Sequence, residues 1–371
     1  MHGQVLKQFR DPDLGRRMAE STRQRLQRLA DKLGRRPRFM EFCGTHTAAI
    51  SRTGVRGVLK SEVDLLSGPG CPVCVSDYSD IDRAIAFSTV PGAIVATFGD
   101  MMKVPGSRTT LQEEKARGAD VRVVYSSLDA LQLARENPDR PVIFLGVGFE
   151  TTAPTAVMTL EQAVREDIRN FYLYSMHKTT PPPTRTLLPD PELLIDGIIL
   201  PGHVSMILGR KAWDFLPEKL QRPGVVAGFE PVELLAAIDT LTDILLTGNL
   251  SVVNQYGRAV REEGNLVAQQ AMDKYYRLVD GPWRGLGTVA GSVLKLKQGY
   301  APWDAEACFD VNVPPTQIPK GCICGEIVKG KQSPFDCALF GKGCDPIRPV
   351  GPCMVSSEGT CATYYKYERK L

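Results

Sequence analysis

No stretch of this 371-residue sequence approaches the apolar length of a membrane span, so no membrane partner is expected. The first twenty residues, MHGQVLKQFRDPDLGRRMAE, hold no apolar h-region. No secretory signal is expected, and the expected location is the cytoplasm. Charge of one sign is also missing. The net charge is +3, with Lys and Arg spread among Asp and Glu, which leaves no footprint for nucleic acid. There is no low-complexity tail. The segment GVGFETTAP (146–154) is Gly-rich but fits neither a dinucleotide nor a P-loop pattern, which weakens any nucleotide-binding reading. Histidine is scarce, with four residues in the whole chain, and cysteine is absent from residues 75–307.

What is present is an ordinary globular composition, 43% hydrophobic and 23% charged, long enough for two or three domains with real cores. Ten cysteines in a cytoplasmic chain need a reason other than structural disulfides. Three lie early, at Cys43, Cys71 and Cys74, and seven lie between Cys308 and Cys361, so two separate thiol chemistries are expected.

Short apolar runs ending in Pro-Gly alternate with stretches of helical spacing, the pattern of parallel α/β sheets. Pro69-Gly70 and Pro201-Gly202 are each followed, 22 residues on, by a second Pro-Gly. At the same offset of 132, FMEFCGTHT (39–47) lies against FYLYSMHKT (171–179). This predicts two related parallel-sheet α/β domains, an internal repeat, facing each other across a cleft. The expected divisions are 1–35, a basic helix stopped by Gly34 and packed on the C-terminal domain; 36–145, the first repeat; 146–285, the second; and 286–371, a cysteine-rich domain. In such sheets ligands bind outside the carboxyl ends of the strands. Cys43, His46, Cys71, Cys74, Asp100, Glu150, His177 and His203 all sit at predicted strand ends.

SGPGCPVC sets Cys71 and Cys74 as a C-x-x-C pair at a helix start, where one thiol is expected to have a lowered pKa, the logic of a dithiol/disulfide couple. Two small buried side chains, or half of a zinc site, is the plainer reading. CGTHT offers a thiolate at Cys43 and an imidazole at His46, three residues apart, as soft ligands for iron or a proton donor. Against this stands a buried cysteine with its neighbours closing a loop. Glu150 reads as an acid/base or as a cap for the helix after Pro154, Asp100 has the same ambiguity, and a lone histidine such as His203 is usually structural. In the tail, six cysteines fall within forty residues with no histidine and irregular spacing. That suits an iron–sulfur cluster better than zinc, which prefers closely spaced pairs. The expected ligands are Cys322, Cys337, Cys344 and Cys361, with Cys324 and Cys353 a thiol pair beside them. A four-thiolate zinc site is the alternative, and Cys308 is expected to be a plain buried residue.

Together, CGTHT, SGPGCPVC, TFGDMMKVPGS, GFETTAP, PGHVS and GCICGEIV…DCALFGKGC…GPCMVSSEGTC resemble the HypD family of [NiFe]-hydrogenase maturation proteins, from about residue 39 to 365. The resemblance implies two related α/β domains and a third carrying a [4Fe-4S] cluster. It further implies an assembly scaffold rather than a free-standing enzyme. The scaffold would join a small partner, HypC, to hold the iron that becomes Fe(CN)2CO, and HypE would deliver cyanide as a thiocyanate. Cys43 would then be the thiolate on the iron with His46 beside it. Cys71 and Cys74 would supply two electrons, and His203, Glu150 or Asp100 would manage protons. Rival readings are an Fe–S-dependent, thioredoxin-like disulfide reductase and a zinc-stabilised interaction module.

Overall fold

The computed structural model describes residues 7–369. Helix α1 (Pro12–Leu33) opens on Asp11, whose carboxylate accepts from the backbone N–H groups of Asp13 (2.8 Å) and Leu14 (3.0 Å), and stops at Gly34 with φ 67°. The chain then lays down β1 (Arg38–Glu41), helix α2 (Gly44–Arg52), β2 (Asp64–Ser67) and the single turn α3 (Pro72–Val75). It crosses to a second sheet for β3 (Ile94–Thr97), β4 (Asp120–Val123), β5 (Val142–Gly146) and β6 (Phe171–Ser175). After the short helix α4 (Pro181–Leu187) it returns to the first sheet with β7 (Gly197–Pro201), helix α5 (Gly202–Leu208), β8 (Gly224–Ala227) and β9 (Val252–Asn254). The first sheet has the order β2-β1-β7-β8-β9 and the second β4-β3-β5-β6, all parallel. Counting each sheet's own strands in chain order, both begin 2-1-3-4. The two domains are therefore related, as the repeat predicted.

The repeat has a different register from the one expected. The offset of 132 matches β2 with β7, which lie in one sheet on either side of β1. It also matches β1 with β6 and β3 with β8, which lie in opposite sheets. By strand order the partner of β1 is β3, so the position two residues past β1, Cys43, answers to Gly99 and not to Ser175. The expected boundary at 145/146 likewise cuts the second sheet at the end of β5. Residues 94–175 form one domain, placed between the two parts of the other. Parallel strands need long crossovers, so their adjacency is a non-local choice that no local pattern reveals.

The strands read as continuous apolar runs because both faces are covered. Side chains alternate between cores with a period of two. Phe39 and Ile199 face a cluster with Leu26, Leu29, Leu234 and Ile238, while Met40, Ile198 and Leu200 face the opposite way. In the second sheet Ile94, Val142 and Phe144 face an outer core with Leu160, whereas Val95, Ile143 and Leu145 join Met40 and Ile198 in one shared inner core. That inner core welds the two domains together and also takes in Cys324, Cys353 and Met354 of the tail.

Two further expectations are corrected. Helix α1 does not pack on the C-terminal domain. Its buried Leu26 and Leu29 lie on α6 (Pro231–Thr247) of the first sheet, because that helix presents Leu234, Ile238 and Leu241 and the tail offers no comparable apolar face. Cys308 is exposed, its thiol donating to the carbonyls of Ala301 (3.3 Å) and Pro302 (3.4 Å).

The rest of the chain binds these parts together. The antiparallel hairpin β10 (Tyr276–Trp283) and β11 (Gly287–Leu296) lies on the second sheet, where Leu294 N–H donates to the His177 carbonyl (2.9 Å) and Ser175 Oγ donates to the Leu294 carbonyl (2.7 Å). The tail is short turns plus α7 (Cys324–Val328) and α8 (Thr360–Tyr367), and α8 packs on α2.

Candidate functional site

In a parallel sheet the crevice opens where the strand order reverses. In the first sheet that point lies between β1 and β7, and in the second between β3 and β5. The loops leaving all four strands line one cleft of about 570 Å³. Phe42, Cys43 and Thr45 come from β1, and Pro201 and His203 from β7. Phe98 and Asp100 come from β3, and the 147–152 loop from β5. Tail residues Ser356, Ser357 and Glu358 close one side. A neighbouring depression of about 650 Å³ is lined by Asp100, Pro346, Met354 and Tyr365. It holds no thiol, so the chemistry belongs to the cleft.

Cys43 caps the start of α2 in extended geometry (φ −153°), with its N–H donating to Glu41 Oε2 at 2.7 Å. Thr47 Oγ1 donates to the other oxygen of the same buried carboxyl. Burial, with smaller contributions from Glu358 and Glu41, pushes the Cys43 thiol up to about 12. It is a neutral thiol at rest, one that ionises on meeting a metal. Glu358 reaches over from the tail and accepts from Thr45 Oγ1 at 2.6 Å.

Cys71 and Cys74 are joined as a disulfide, both sulfurs buried. Gly70 brings that turn onto Cys43. Its carbonyl accepts from Gly44 N–H (2.8 Å), and a Cβ at position 70 would collide with the Cys43 backbone. The expected helix is only the single turn α3, with Cys71 Sγ accepting from Cys74 N–H at 3.2 Å. On its far side, α3 packs against α7, which begins at Cys324, and against the Pro352–Met354 turn, which carries Cys353. The early and late cysteines therefore form one continuous region.

The other expected residues divide. His203 and Asp100 are exposed and line the cleft. One face of His203 lies on Phe229, with ring centroids 4.0 Å apart, and that partial burial lowers its pKa. His46 does not line the cleft. It is fully buried against Phe229, and its Nε2–H donates to the Gly228 carbonyl at 3.0 Å while Nδ1 has no partner. Burial lowers it to about 4, so it is neutral at pH 7. His177 is buried at the end of β6 beside Ser175 and Tyr276, with its pKa lowered to about 3 by burial. Glu150 points away from the cleft and does not cap the helix after Pro154, which has no side-chain cap. Its Oε1 accepts from Thr180 N–H (2.7 Å) and Thr180 Oγ1 (3.2 Å) at the start of α4.

In the tail, Cys324 lies beside Cys322, Cys353 and Cys361, and Cys344 lies near Cys322 and Cys337. Cys324 and Cys353 are adjacent, with Cys361 beside both. Among the described residues no three Cys, His, Asp or Glu side chains converge on a single-ion site. Glu41, Glu358 and Arg284 were missed by sequence reasoning. Glu41 and Glu358 flank cysteine motifs, where charged residues are common, and Arg284 lies far from any cysteine in sequence, so only the fold shows these to be buried or aimed at the cleft.

The chain is thus an α/β protein whose two doubly wound domains share a cleft lined by one neutral thiol and backed by a buried disulfide and a thiol-rich tail. Comparison with known proteins makes this specific. The family model of HypD, described as "Hydrogenase formation hypA family", matches residues 17–368. The chain is 44% identical over 369 residues to the hydrogenase maturation factor HypD of Rhodobacter capsulatus, covering 97% of each. It is 44% identical over 367 residues to that of Escherichia coli, covering 98% of each. It is 41% identical over 345 residues to a putative hydrogenase expression/formation protein of Methanocaldococcus jannaschii, covering 93% of this chain and 96% of the relative. The chain belongs to the HypD family of hydrogenase maturation factors. Among the described residues no helix is long and apolar enough to cross a membrane.

Proposed function

We propose that the chain is a cytoplasmic scaffold on which, together with a HypC-like partner, the Fe(CN)2CO unit of a [NiFe]-hydrogenase is assembled. The observation that carries this reading is the position of Cys43. It is the one free thiol lining a cleft where two strand-order reversals meet, and it touches the turn that holds Cys71 and Cys74. The iron is cargo, and Cys43 is its thiolate ligand, suited to low-spin iron with soft partners. His203 and Asp100 are the cleft groups available to move protons.

Cyanide arrives from a HypE-like donor as a protein thiocyanate, and releasing it needs two electrons. With Cys71 and Cys74 as a dithiol, the S–CN bond breaks, the donor sulfur leaves as a thiol and cyanide passes to the iron. The two cysteines close their S–S bond, supplying both electrons; one of their protons goes to the leaving thiol and the other is released as cyanide binds the iron. Burial of both sulfurs argues against the rival reading, in which a folded disulfide substrate would have to reach them.

The tail residues fit a [4Fe-4S] cluster. All donors are thiols, and Gly351 lies so close to the sulfurs of Cys322 and Cys324 that a Cβ would fill the space. Cys322, Cys337, Cys344 and Cys361 would hold it, and a bound cluster supplies electrons one at a time. Cys324 and Cys353 lie on the two tail elements that pack against α3.

Infrared spectroscopy of the anaerobically purified complex with the HypC-like partner tests the proposal. Cys43→Ser should fold and keep its iron-dependent brown colour, yet lose the CN and CO bands. Bands of normal intensity in that variant would place the iron elsewhere. Cys337→Ala should bleach the colour, whereas Cys308→Ala should not.

A further inference from the structure

Arg284 takes no part in the chemistry above, and its surroundings are unusual for a cation. It sits where β10 turns toward β11, and its backbone N–H donates to the Val75 carbonyl at 2.9 Å. The tip of the hairpin is thereby inserted against α3. Gly285, at φ 83°, lies directly on Gly325, one residue past Cys324, and a side chain at either position would force the two backbones apart. The tip therefore stands between the Cys71–Cys74 turn and the start of the tail cysteines.

The Arg284 side chain is 4% exposed. Nε donates to the Cys74 carbonyl at 3.1 Å and Nη2 to the Ser76 carbonyl at 2.6 Å. The guanidinium lies 3.7 Å over the Tyr78 ring, and Nη1 has no partner. None of these acceptors is a carboxylate. A buried cation without a counter-charge is strongly unfavourable, and truncating a partner around one is costly for the same reason. Of the groups around it, the Tyr78 phenol and the cysteine sulfurs are those that can take up negative charge. Cys74 is the residue whose carbonyl it holds, and the Gly285–Gly325 contact sets the same hairpin tip one residue from Cys324.

We propose that Arg284 is a positioning residue for the thiol chemistry: its fixed positive charge favours the reduced, electron-rich form of both cysteine groups between which it stands. The tail half of this statement rests on the cluster reading above. The Cys71–Cys74 half does not. A permanent cation suits the task because a guanidinium keeps its proton at any working pH.

The test uses the anaerobically purified full chain with Arg284→Gln, Arg284→Lys and Arg284→Met. The Cys71–Cys74 pair is equilibrated against dithiothreitol. Its S–S bond breaks as the reagent's two thiols give up two electrons and two protons and close to the cyclic disulfide; one proton goes to one cysteine and the other to the buffer, which leaves the second sulfur as the thiolate that the guanidinium favours. Alkylation and mass spectrometry then count the free thiols. Arg284→Gln should shift the equilibrium about tenfold toward the protein disulfide, the scale of one unit-charge interaction in a partly screened interior. Arg284→Lys, which keeps the charge and loses the fork, should stay within about threefold of the parent. Arg284→Met, similar in volume and with no polar group to bury, replaces the Gln variant if that one does not fold. An unchanged equilibrium in the neutral variant overturns the proposal. So does a Lys variant displaced as far as the neutral one, since hydrogen-bond geometry and not charge would then be at work. In parallel, the midpoint potential of the iron-dependent chromophore should move to more negative values in Arg284→Gln and stay near the parent in Arg284→Lys. Parent protein without iron or acid-labile sulfide would defeat the cluster reading alone, and the dithiothreitol equilibrium would still decide the role of Arg284.

Discussion

Glu150 shows how a single buried side chain ties local structure to pH. One of its oxygens holds the start of α4, and the other has no partner. Burial raises its pKa from 4.5 to about 7, against the opposing hydrogen bonds from Thr180. Between those two values the folded chain keeps a proton that the unfolded chain has released. Stability from this group therefore falls as pH rises from 4.5 to 7, and the loss is complete above 7. Glu150→Gln keeps an acceptor for Thr180 and removes the titration. Relative to the parent, the variant should gain stability across that window, by up to about 3 kcal/mol. Thermal melts at pH 4.5, 6 and 7.5 measure this, and parallel pH curves for the two proteins would contradict it. Gly351 gives a second residue-scale prediction. Gly351→Ala puts a methyl group where the Cys322 and Cys324 sulfurs already are, so the variant should bind less iron while melting near the parent.

At the scale of elements, much was legible because it is local. Alternating apolar runs marked the strands, Pro-Gly marked several of their ends, and Gly34 marked the end of α1. The cleft residues Cys43, Asp100 and His203 were found from strand ends alone, since a crevice must open there. Orientation was not legible. His46 and Glu150 sit next to cleft residues but turn inward, which depends on Phe229 and Thr180, both remote in sequence. Partnership between elements was hidden as well. Helix α1 is basic and looks like a surface appendage. Leu26 and Leu29, fully buried on α6, make it part of the first sheet's core. Leu29→Ala should therefore destabilise the chain by about 2–5 kcal/mol through the cavity it leaves. Chemical denaturation reads this directly, and a loss below about 1 kcal/mol would show that α1 is only loosely attached.

At the scale of the whole molecule, the tail acts as a clamp on the first domain, and this brings the late cysteines to the early ones. The clamp is polar. Glu368, on the residue after α8, is 6% exposed and pairs with Arg56 at 2.9 Å, while Ser51 Oγ donates to the same carboxylate. The Arg56 guanidinium also lies 5.0 Å from the Tyr364 ring centroid and donates to the Leu65 carbonyl of β2. Beside this clamp, α8 packs on α2, the helix that Cys43 opens, so the position of the cleft thiol depends on tail docking. Removing one partner of a buried pair leaves the other charge uncompensated, at a cost of about 3–5 kcal/mol. Arg56→Ala should therefore loosen the tail before it unfolds the sheets. Hydrogen exchange followed by mass spectrometry should show faster exchange in 44–52 and 360–367, with the second-sheet strands at 94–97 and 142–146 unchanged. The replacement of both partners, Arg56→Met with Glu368→Leu, should restore much of the protection, because no buried charge then remains. Uniform acceleration over both sheets in Arg56→Ala would mean that tail and domains unfold as one unit. The cleft would then owe its shape to global stability and not to this clamp.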